Sequence, residues 1–458
     1  MSIATLKKLR NKKIAILGLG IENYALVKFL LAKKINCGIT VCDSRDKEKL
    51  GDRYKELKNS VGWKLGNNYN KGLKKYDIVF RSPGYPLNKM LNVNDQLLKV
   101  VISSPMKLFF ELCPAKNIIG VTGTKGKGTT ASLIYEILKT DGKKVYLGGN
   151  IGIAPFEFLD KIKKNDWIVL ELSSFQLEDM EVSPRIAVIT NFSSEHLAPA
   201  DPNNPNYHRS LRAYWEAKIN IIKWQNKGDY AILNKNLELR IKNYELRGKK
   251  IFFTKSELPS NLIGEHNKEN IAAAVEVAKI VGIKEAIIKK AVAEFKGLEH
   301  RLEFVKNIKG VKYYNDTFAT TPKSAIIALK SFNAPVILIA GGSEKNSNFK
   351  EFVREVNKKI YPVKSRLLGG SRSEFNRVKL VILIVGDATP RIKKELLKIN
   401  YPANKIKLTY NIKEAVKTAR QNSAAGDIVL LSPACASFGI FKNYKERGEL
   451  FKEAVKNL

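Results

Sequence analysis

Cysteine and histidine are both scarce in this 458-residue chain, with four of each. Cys37, Cys42, Cys113 and Cys435 show no CxxC spacing, which argues against a disulfide scaffold or a thiolate metal site and is the pattern of free thiols in a reducing compartment. No apolar run approaches the roughly 18 residues a membrane-spanning helix needs. The start of the chain mixes Lys7, Lys8 and Arg10 with short apolar pieces, and the run 14–19 ends in glycine, unlike a signal peptide. Repeats and low-complexity tracts are missing too, so fibrous and disordered classes are set aside. The expectation is a cytoplasmic globular protein with no membrane partner.

Acidic residues are the other shortage: 44 Asp+Glu face 80 Lys+Arg, a net charge of +36. The basic residues are spread through the chain, as in 7–13, 71–75 and 354–366, and are not gathered into one arm or interleaved with stacking aromatics. That distribution is the one expected of a solvated lysine-rich surface suited to polyanionic small molecules, and no nucleic-acid partner is expected.

Apolar segments that read as strands occur at 13–17, 39–42, 77–80, 117–121, 167–172, 186–190, 336–339, 381–385 and 428–431, alternating with amphipathic stretches. This rhythm indicates parallel α/β sheets. Glycine-rich turns follow three of the runs, at 18–20, 120–128 and 341–342, and each could open its own α/β domain. With domains of about 100 to 200 residues, we expect three, at 1–105, 106–299 and 300–458. The first is read as Rossmann-like, the second as a P-loop-type ATP-binding domain and the third as Rossmann-like again.

The strongest chemical signal is Gly120-Val-Thr-Gly-Thr-Lys-Gly-Lys-Gly-Thr-Thr130, set between an expected strand and an expected helix at 130–139. Glycines let backbone N–H groups turn toward a polyphosphate, and a helix N-terminus adds partial positive charge. Lys127 can reach the terminal phosphates of ATP. The cradle is therefore Gly123, Thr124, Lys125, Gly126, Lys127, Gly128, Thr129 and Thr130. Gly128 stands where a Mg²⁺-binding hydroxyl would follow the lysine, so Thr129 is the candidate for that oxygen. A second loop, Gly18-Leu-Gly-Ile21, precedes an expected helix, and Asp43 lies about 20 residues on. It fits a nucleotide diphosphate or plain packing. Glu171, at the end of a strand and the start of Glu171-Leu-Ser-Ser-Phe-Gln-Leu-Glu178, is placed to bind Mg²⁺ or simply to cap a helix. His196 closes Asn191-Phe-Ser-Ser-Glu-His196 after the next strand and faces either a metal or only solvent. Lys218, in Trp215-Glu-Ala-Lys218, reads from its own segment as a helix surface residue.

Together these runs, with Gly148-Gly-Asn-Ile-Gly152, Gly264-Glu-His-Asn267, His300-Arg301, Asn315-Asp316, Leu431-Ser-Pro-Ala-Cys-Ala-Ser437, Phe441-Lys-Asn-Tyr444 and Arg447-Gly448, resemble the Mur ligase family along the whole chain. The run from Glu171 to Glu178 resembles its D-glutamate-adding branch. The resemblance implies that Gly18, Leu19, Gly20, Ile21, Asp43, Ser44, Arg45, Ser82, Pro83 and Gly84 hold a uridine diphosphate, with Asn150 near the rest of that substrate. It assigns Asn267, Arg301 and Asp316 to ATP, and Thr129, Glu171, His196 and Lys218 to one or two Mg²⁺ ions, Lys218 as a carbamate. Lys127, His196 and Lys218 become the catalytic residues. The incoming amino acid would meet Thr320 or Thr321, Lys345, Ser437 and Tyr444. Two departures stand out: Phe318 occupies a place where the family carries lysine, and residues 199–206 are inserted.

The implied reaction is ATP-dependent formation of an amide between UDP-N-acetylmuramoyl-L-alanine and D-glutamate by a monomer. A sister ligase using another acceptor such as L-glutamate, a nucleic-acid-binding ATPase and a degenerate nucleotide binder are the rivals. The absence of a clustered basic stripe disfavours the second.

Overall fold

A computed structural model describes residues 3–87, 100–197, 206–343, 347–360 and 375–458. Lys345 and nearly all of the 199–206 insertion lie outside them. Among the described residues the chain has three large α/β sheets. The first contains β1 (Lys13–Leu17), β2 (Gly38–Asp43), β3 (Gly62–Leu65), β4 (Ile78–Arg81) and β5 (Val101–Ser103), all parallel, in the order β3-β2-β1-β4-β5. The second is parallel throughout, with β6 (Asn117–Thr122), β7 (Val145–Gly149), β8 (Trp167–Glu171), β9 (Ile186–Ile189), β10 (Tyr230–Asn234) and β11 (Lys249–Phe253) in the order β11-β10-β9-β6-β8-β7.

The third sheet is built from β12 (Glu303–Ile308), β13 (Val311–Asn315), β14 (Val336–Gly341), β17 (Val378–Ile384), β18 (Ile406–Thr409) and β19 (Ile428–Leu431), with a separate short pair, β15 (Lys359–Ile360) and β16 (Phe375–Asn376). Its order is β12-β13-β19-β14-β17-β18, and only the β12/β13 pairing is antiparallel.

The continuous apolar runs in the sequence are the central strands because both faces of a parallel sheet are covered by helices. β6, β8, β9, β14 and β19 are buried almost throughout. The expected segments 13–17 and 428–431 match their strands residue for residue, and the others differ by one to three residues at an end. The helix expected at 130–139 begins three residues earlier, as Lys127–Thr140, because glycine in the left-handed conformation at position 126 turns the chain straight into it.

Two compact units account for the chain, Met1–Leu258 with Lys268–Val292 and Pro259–Asn267 with Ala293–Leu458. The first holds two sheets joined by a common apolar core in which Phe29, Phe109 and Phe156 meet. Polar groups also cross between these sheets. Arg81, at the end of β4 and only 1% exposed, donates to the Phe175 carbonyl at 3.0 Å and faces the Glu178 and Asp179 carboxylates. Glu22 accepts from the Gln176 amide. The second unit packs its sheet between two apolar layers, one against the helix Pro322–Lys330 and the other against Ile412–Gln421 and Tyr444–Lys456.

Candidate active site

In open α/β sheets, ligand sites form outside the carboxyl ends of strands where the strand order reverses. The first sheet reverses between β1 and β4, and the loops leaving those two strands are the Gly18–Ile21 turn and Ser82-Pro83-Gly84. They touch: a Cβ on Gly18 would lie 3.1 Å from the Cβ of Ser82, and one on Gly20 would lie 3.2 Å from its Oγ. Asp43, at the end of β2, closes the same crevice. Its Oδ2 accepts from the Leu19 N–H at 2.6 Å, and its Oδ1 accepts from the Arg45 backbone at 2.9 Å. Burial would raise this carboxyl, but Arg45 and the Leu19 N–H hold it below the usual range. Ser44 is exposed beside it.

In the second sheet β6 lies between β8 and β9, so three strand ends meet. β6 leads into the phosphate loop. Gly123 has φ 147°, and a Cβ there would fall 1.9 Å from Thr190 Oγ1, while a Cβ on Gly126 would fall 2.1 Å from Asn270 Oδ1. Only glycine fits either place, so the loop is a cradle shaped by its surroundings. Asn191 and Thr190 hold it from β9: the Lys125 N–H donates to Asn191 Oδ1 at 2.8 Å, and Thr190 Oγ1 donates to the Lys125 carbonyl at 2.6 Å. Thr124 Oγ1 and the Tyr214 hydroxyl are 3.3 Å apart, and Thr130 donates to Asn270 at 3.3 Å. Lys127 donates from Nζ to the Thr124 carbonyl at 3.1 Å, with Gly128 buried and Thr129 half-buried behind it.

Glu171 ends β8 and is buried, and the Asn150 amide donates to its Oε1 at 3.0 Å. His196 has φ 57° and packs edge-on against Phe175 at 5.3 Å. Burial is the main cause that lowers its pKa, with Glu195 opposing and Lys127, Lys218 and Lys125 adding to the fall. Glu195 itself, which burial would raise, is pulled down by its ion pair with Lys125.

The reading of Lys218 as a surface residue is overturned. It lies on the inward face of the helix Leu211–Lys223, is 1% exposed, donates from Nζ to the Gly123 carbonyl at 2.7 Å and sits 4.7 Å over the Tyr214 ring. Burial, reinforced by Lys127, drives its pKa well below that of a free lysine. An amine held partly neutral beside a phosphate loop can react with an electrophile such as CO₂. The local segment hid this because one lysine does not reveal which helix face is buried.

In the second unit a cavity of about 230 Å³ opens beyond the ends of β13 and β19, lined by Phe318, Thr320, Ala436, Ser437, Phe438, Asn443 and Tyr444. Ser437 and Tyr444 are thus brought together. Of the two threonines, Thr320 lines the cavity and Thr321 caps the helix Pro322–Lys330 by accepting from Ser324 N–H at 3.3 Å. Asp316 is buried, accepts from the Ser432 hydroxyl at 2.9 Å and is pushed up to about 7 by burial. Asn267 donates to the Ile263 carbonyl at 2.7 Å. Arg447, fully buried, donates to the Thr317 hydroxyl at 2.8 Å and to the Ala436 carbonyl at 3.2 Å, tying the two cavity loops together.

Sequence reasoning gave no role to Thr190, Asn191, Asn270, Tyr214, His208 or Arg447. His208 stacks flat on Phe175 at 4.7 Å, and its Nε2 lies 2.9 Å from Ser174 Oγ. Asn191 and Arg447 sit inside runs already singled out, and the others have no local signal.

A glycine cradle fixed at three strand ends, with a buried carboxylate, a buried amine and a partly exposed imidazole around it, defines a phosphate-handling α/β enzyme. Family models agree: residues 12–100 match the Mur ligase MurD-like N-terminal domain, 121–254 the Mur ligase middle domain and 300–435 the Mur ligase glutamate ligase domain. The chain is 36% identical to a Clostridium tetani protein named UDP-N-acetylmuramoylalanine–D-glutamate ligase, over 99% of this chain and 98% of that one. It is 38% identical to one of the same name from Acetivibrio thermocellus, with the same coverage. Among solved structures it shares the fold of UDP-N-acetylmuramate-alanine ligase from Thermotoga maritima, with TM-score 0.56, 17% identity, and 97% of this chain and 99% of that chain covered. It also shares that of a Thermotoga maritima MurF ligase in complex with ADP, with TM-score 0.55, 17% identity and full coverage of both. The chain belongs to the Mur ligase family. Among the described residues, no helix is long and apolar enough to cross a membrane.

Proposed function

We propose that this chain is an ATP-dependent ligase that joins D-glutamate to UDP-N-acetylmuramoyl-L-alanine, a cytoplasmic step in making peptidoglycan precursors. The observation that carries the reading is the meeting of the Gly123–Lys127 cradle with Glu171 and Lys218 at adjacent strand ends, in a chain whose full-length relatives carry that ligase name.

Carboxylates are poor electrophiles, so one must be activated before an amine can attack. A carboxylate oxygen of the alanyl substrate attacks the γ-phosphorus of ATP, the bond to ADP breaks, and an acyl phosphate forms. The D-glutamate amine then attacks the acyl carbon, phosphate leaves, and the nitrogen loses its proton. The Gly18–Ile21 turn with Asp43, Ser44, Arg45 and Ser82-Pro83-Gly84 holds the uridine diphosphate end. The cradle amides and Lys127 hold the phosphates and stabilise charge on the transferring group. The assignments of Asn267, Arg301 and Asp316 to the nucleotide belong to this proposal, as do those of Ser437, Tyr444 and Lys345 to the acceptor.

The donor set also fits Mg²⁺: a buried carboxylate at Glu171, a hydroxyl at Thr129 and an imidazole kept neutral at His196, with Lys218 joining once carbamylated. One or two bound ions would neutralise phosphoryl charge. The chain's own residues do the rest by binding, orienting and excluding water.

The test is oxygen transfer. With ¹⁸O in the alanyl carboxylate, the released phosphate carries one ¹⁸O. Phosphate free of the label would sink the acyl-phosphate route.

A further inference from the structure

His196 holds its backbone at φ 57°, a left-handed conformation that a residue with a side chain keeps only where its surroundings impose it. His208 is part of what imposes it. The His208 N–H donates to the His196 carbonyl at 2.8 Å, and the two segments run side by side at the Leu197–His208 bridge.

The rings repeat the arrangement. The His196 imidazole meets two aromatic rings edge-on, Phe175 at 5.3 Å and 68° and Tyr214 at 5.9 Å and 73°. Both are backed by the same third ring: His208 lies flat on Phe175 at 4.7 Å and 2°, and tilted against Tyr214 at 5.1 Å and 38°. The His208 side chain is 1% exposed, with Nε2 2.9 Å from Ser174 Oγ and Nδ1 3.8 Å from Glu178 Oε1. Those two neighbours set the plane of its imidazole, and the imidazole sets the faces of Phe175 and Tyr214. All four rings belong to the same compact unit.

We propose that His208 is the positioning residue that sets the His196 imidazole for the reaction, an assignment that rests on the ligase reading above and adds a residue to it. A close-packed cluster hands the placement of one ring on to the next, because none can turn without displacing its neighbour. With its ring nitrogens turned to Ser174 and Glu178, His208 acts through Phe175 and Tyr214 and not on a substrate.

The test uses the full-length protein with His208→Leu, which fills the space without a ring, and His208→Phe, which keeps one, each made again in a His196→Ala background. Two quantities are read: steady-state kinetics, and the ring signals of ¹³C-labelled histidine, of which the chain has four. His208→Leu is expected to lower kcat about tenfold and to leave KM for ATP within about twofold. His208→Phe should stay within about threefold of wild type, since the stack survives. In the His196→Ala background His208→Leu should have no further effect, because the imidazole it serves is gone. The His196 signal should be single and sharp in wild type and in His208→Phe, and broadened or doubled in His208→Leu. Should His208→Leu not fold, Phe175→Leu removes the other half of the stack at a half-buried ring and should broaden the same signal. A His208→Leu loss of kcat that persists in the His196→Ala background, or a His196 signal as sharp in the leucine variants as in wild type, overturns the proposal and leaves His208 as core filling. Because the signal is read without turnover, a failure of the ligase reading would show separately, as wild-type protein with an ordered His196 that joins no acceptor.

Discussion

The phosphate-loop end of the second sheet and the cavity end of the third solve opposite problems. Around Gly123 and Gly126 the side chains of Thr190 and Asn191 tie the loop in place, and two missing side chains create the space. Around Phe318, Phe438 and Tyr444 the walls are side chains, two of them conspicuously exposed at 39% and 62%. In the proposed function the first end is a backbone device suited to one kind of ligand, a polyphosphate. The second is a side-chain device, and its choice of ligand can be altered by single substitutions. ATP chemistry should therefore break abruptly on mutation and acceptor preference should shift by degrees.

The largest effect expected is at Lys127. Lys127→Ala should lower kcat by about 10²–10³, the loss typical of one charge-stabilising donor, while the thermal midpoint stays near wild type. A loss below tenfold in steady-state phosphate release would mean that the cradle does not handle the transferring group. Next comes Gly123→Ala, whose Cβ must displace Thr190. Nucleotide affinity measured by calorimetry should fall by about 10- to 100-fold, roughly 1.4–2.7 kcal/mol, with KM for the acceptor little changed. An unaltered affinity would show that the loop yields where it should be rigid.

At the cavity end the change should be graded. Ser437→Ala removes one hydroxyl worth about 1 kcal/mol, so KM for D-glutamate should rise about fivefold and KM for ATP should not move. A shift in both would erase the contrast between the two ends.

The smallest effect lies away from both. Burial raises the Glu22 carboxyl to about 7 despite the Gln176 hydrogen bond and Arg81. A raised carboxyl binds its proton more tightly in the folded chain, so stability falls as pH rises from about 4.5 to 7. Glu22→Gln should lift the thermal midpoint by a few degrees at pH 8 and leave it unchanged at pH 4. Equal midpoints at both values would place the ionised carboxylate comfortably in the native contact.

The same contrast explains what could be read from the residues in order. The strands, the glycine turns and the three-sheet plan were legible because continuous apolar runs and glycine punctuation are local signals. So was the glycine-shaped loop between β6 and its helix, whose signal lies in consecutive residues. Lys218 was not, since its meaning depends on a helix face turned toward the Gly123 carbonyl 95 positions away. Nor was Asn270, which limits Gly126 from a helix 144 positions further on. The cavity draws on loops after β13 and β19 that are held together by buried Arg447, a link that no single segment contains.

The central claim is tested most directly by phosphate release from purified protein with ATP, Mg²⁺ and UDP-N-acetylmuramoyl-L-alanine, comparing D-glutamate, L-glutamate and no amino acid. The account expects release, with one new amide per phosphate, only when D-glutamate is present. Equal release with L-glutamate, or none with any acceptor, would contradict it.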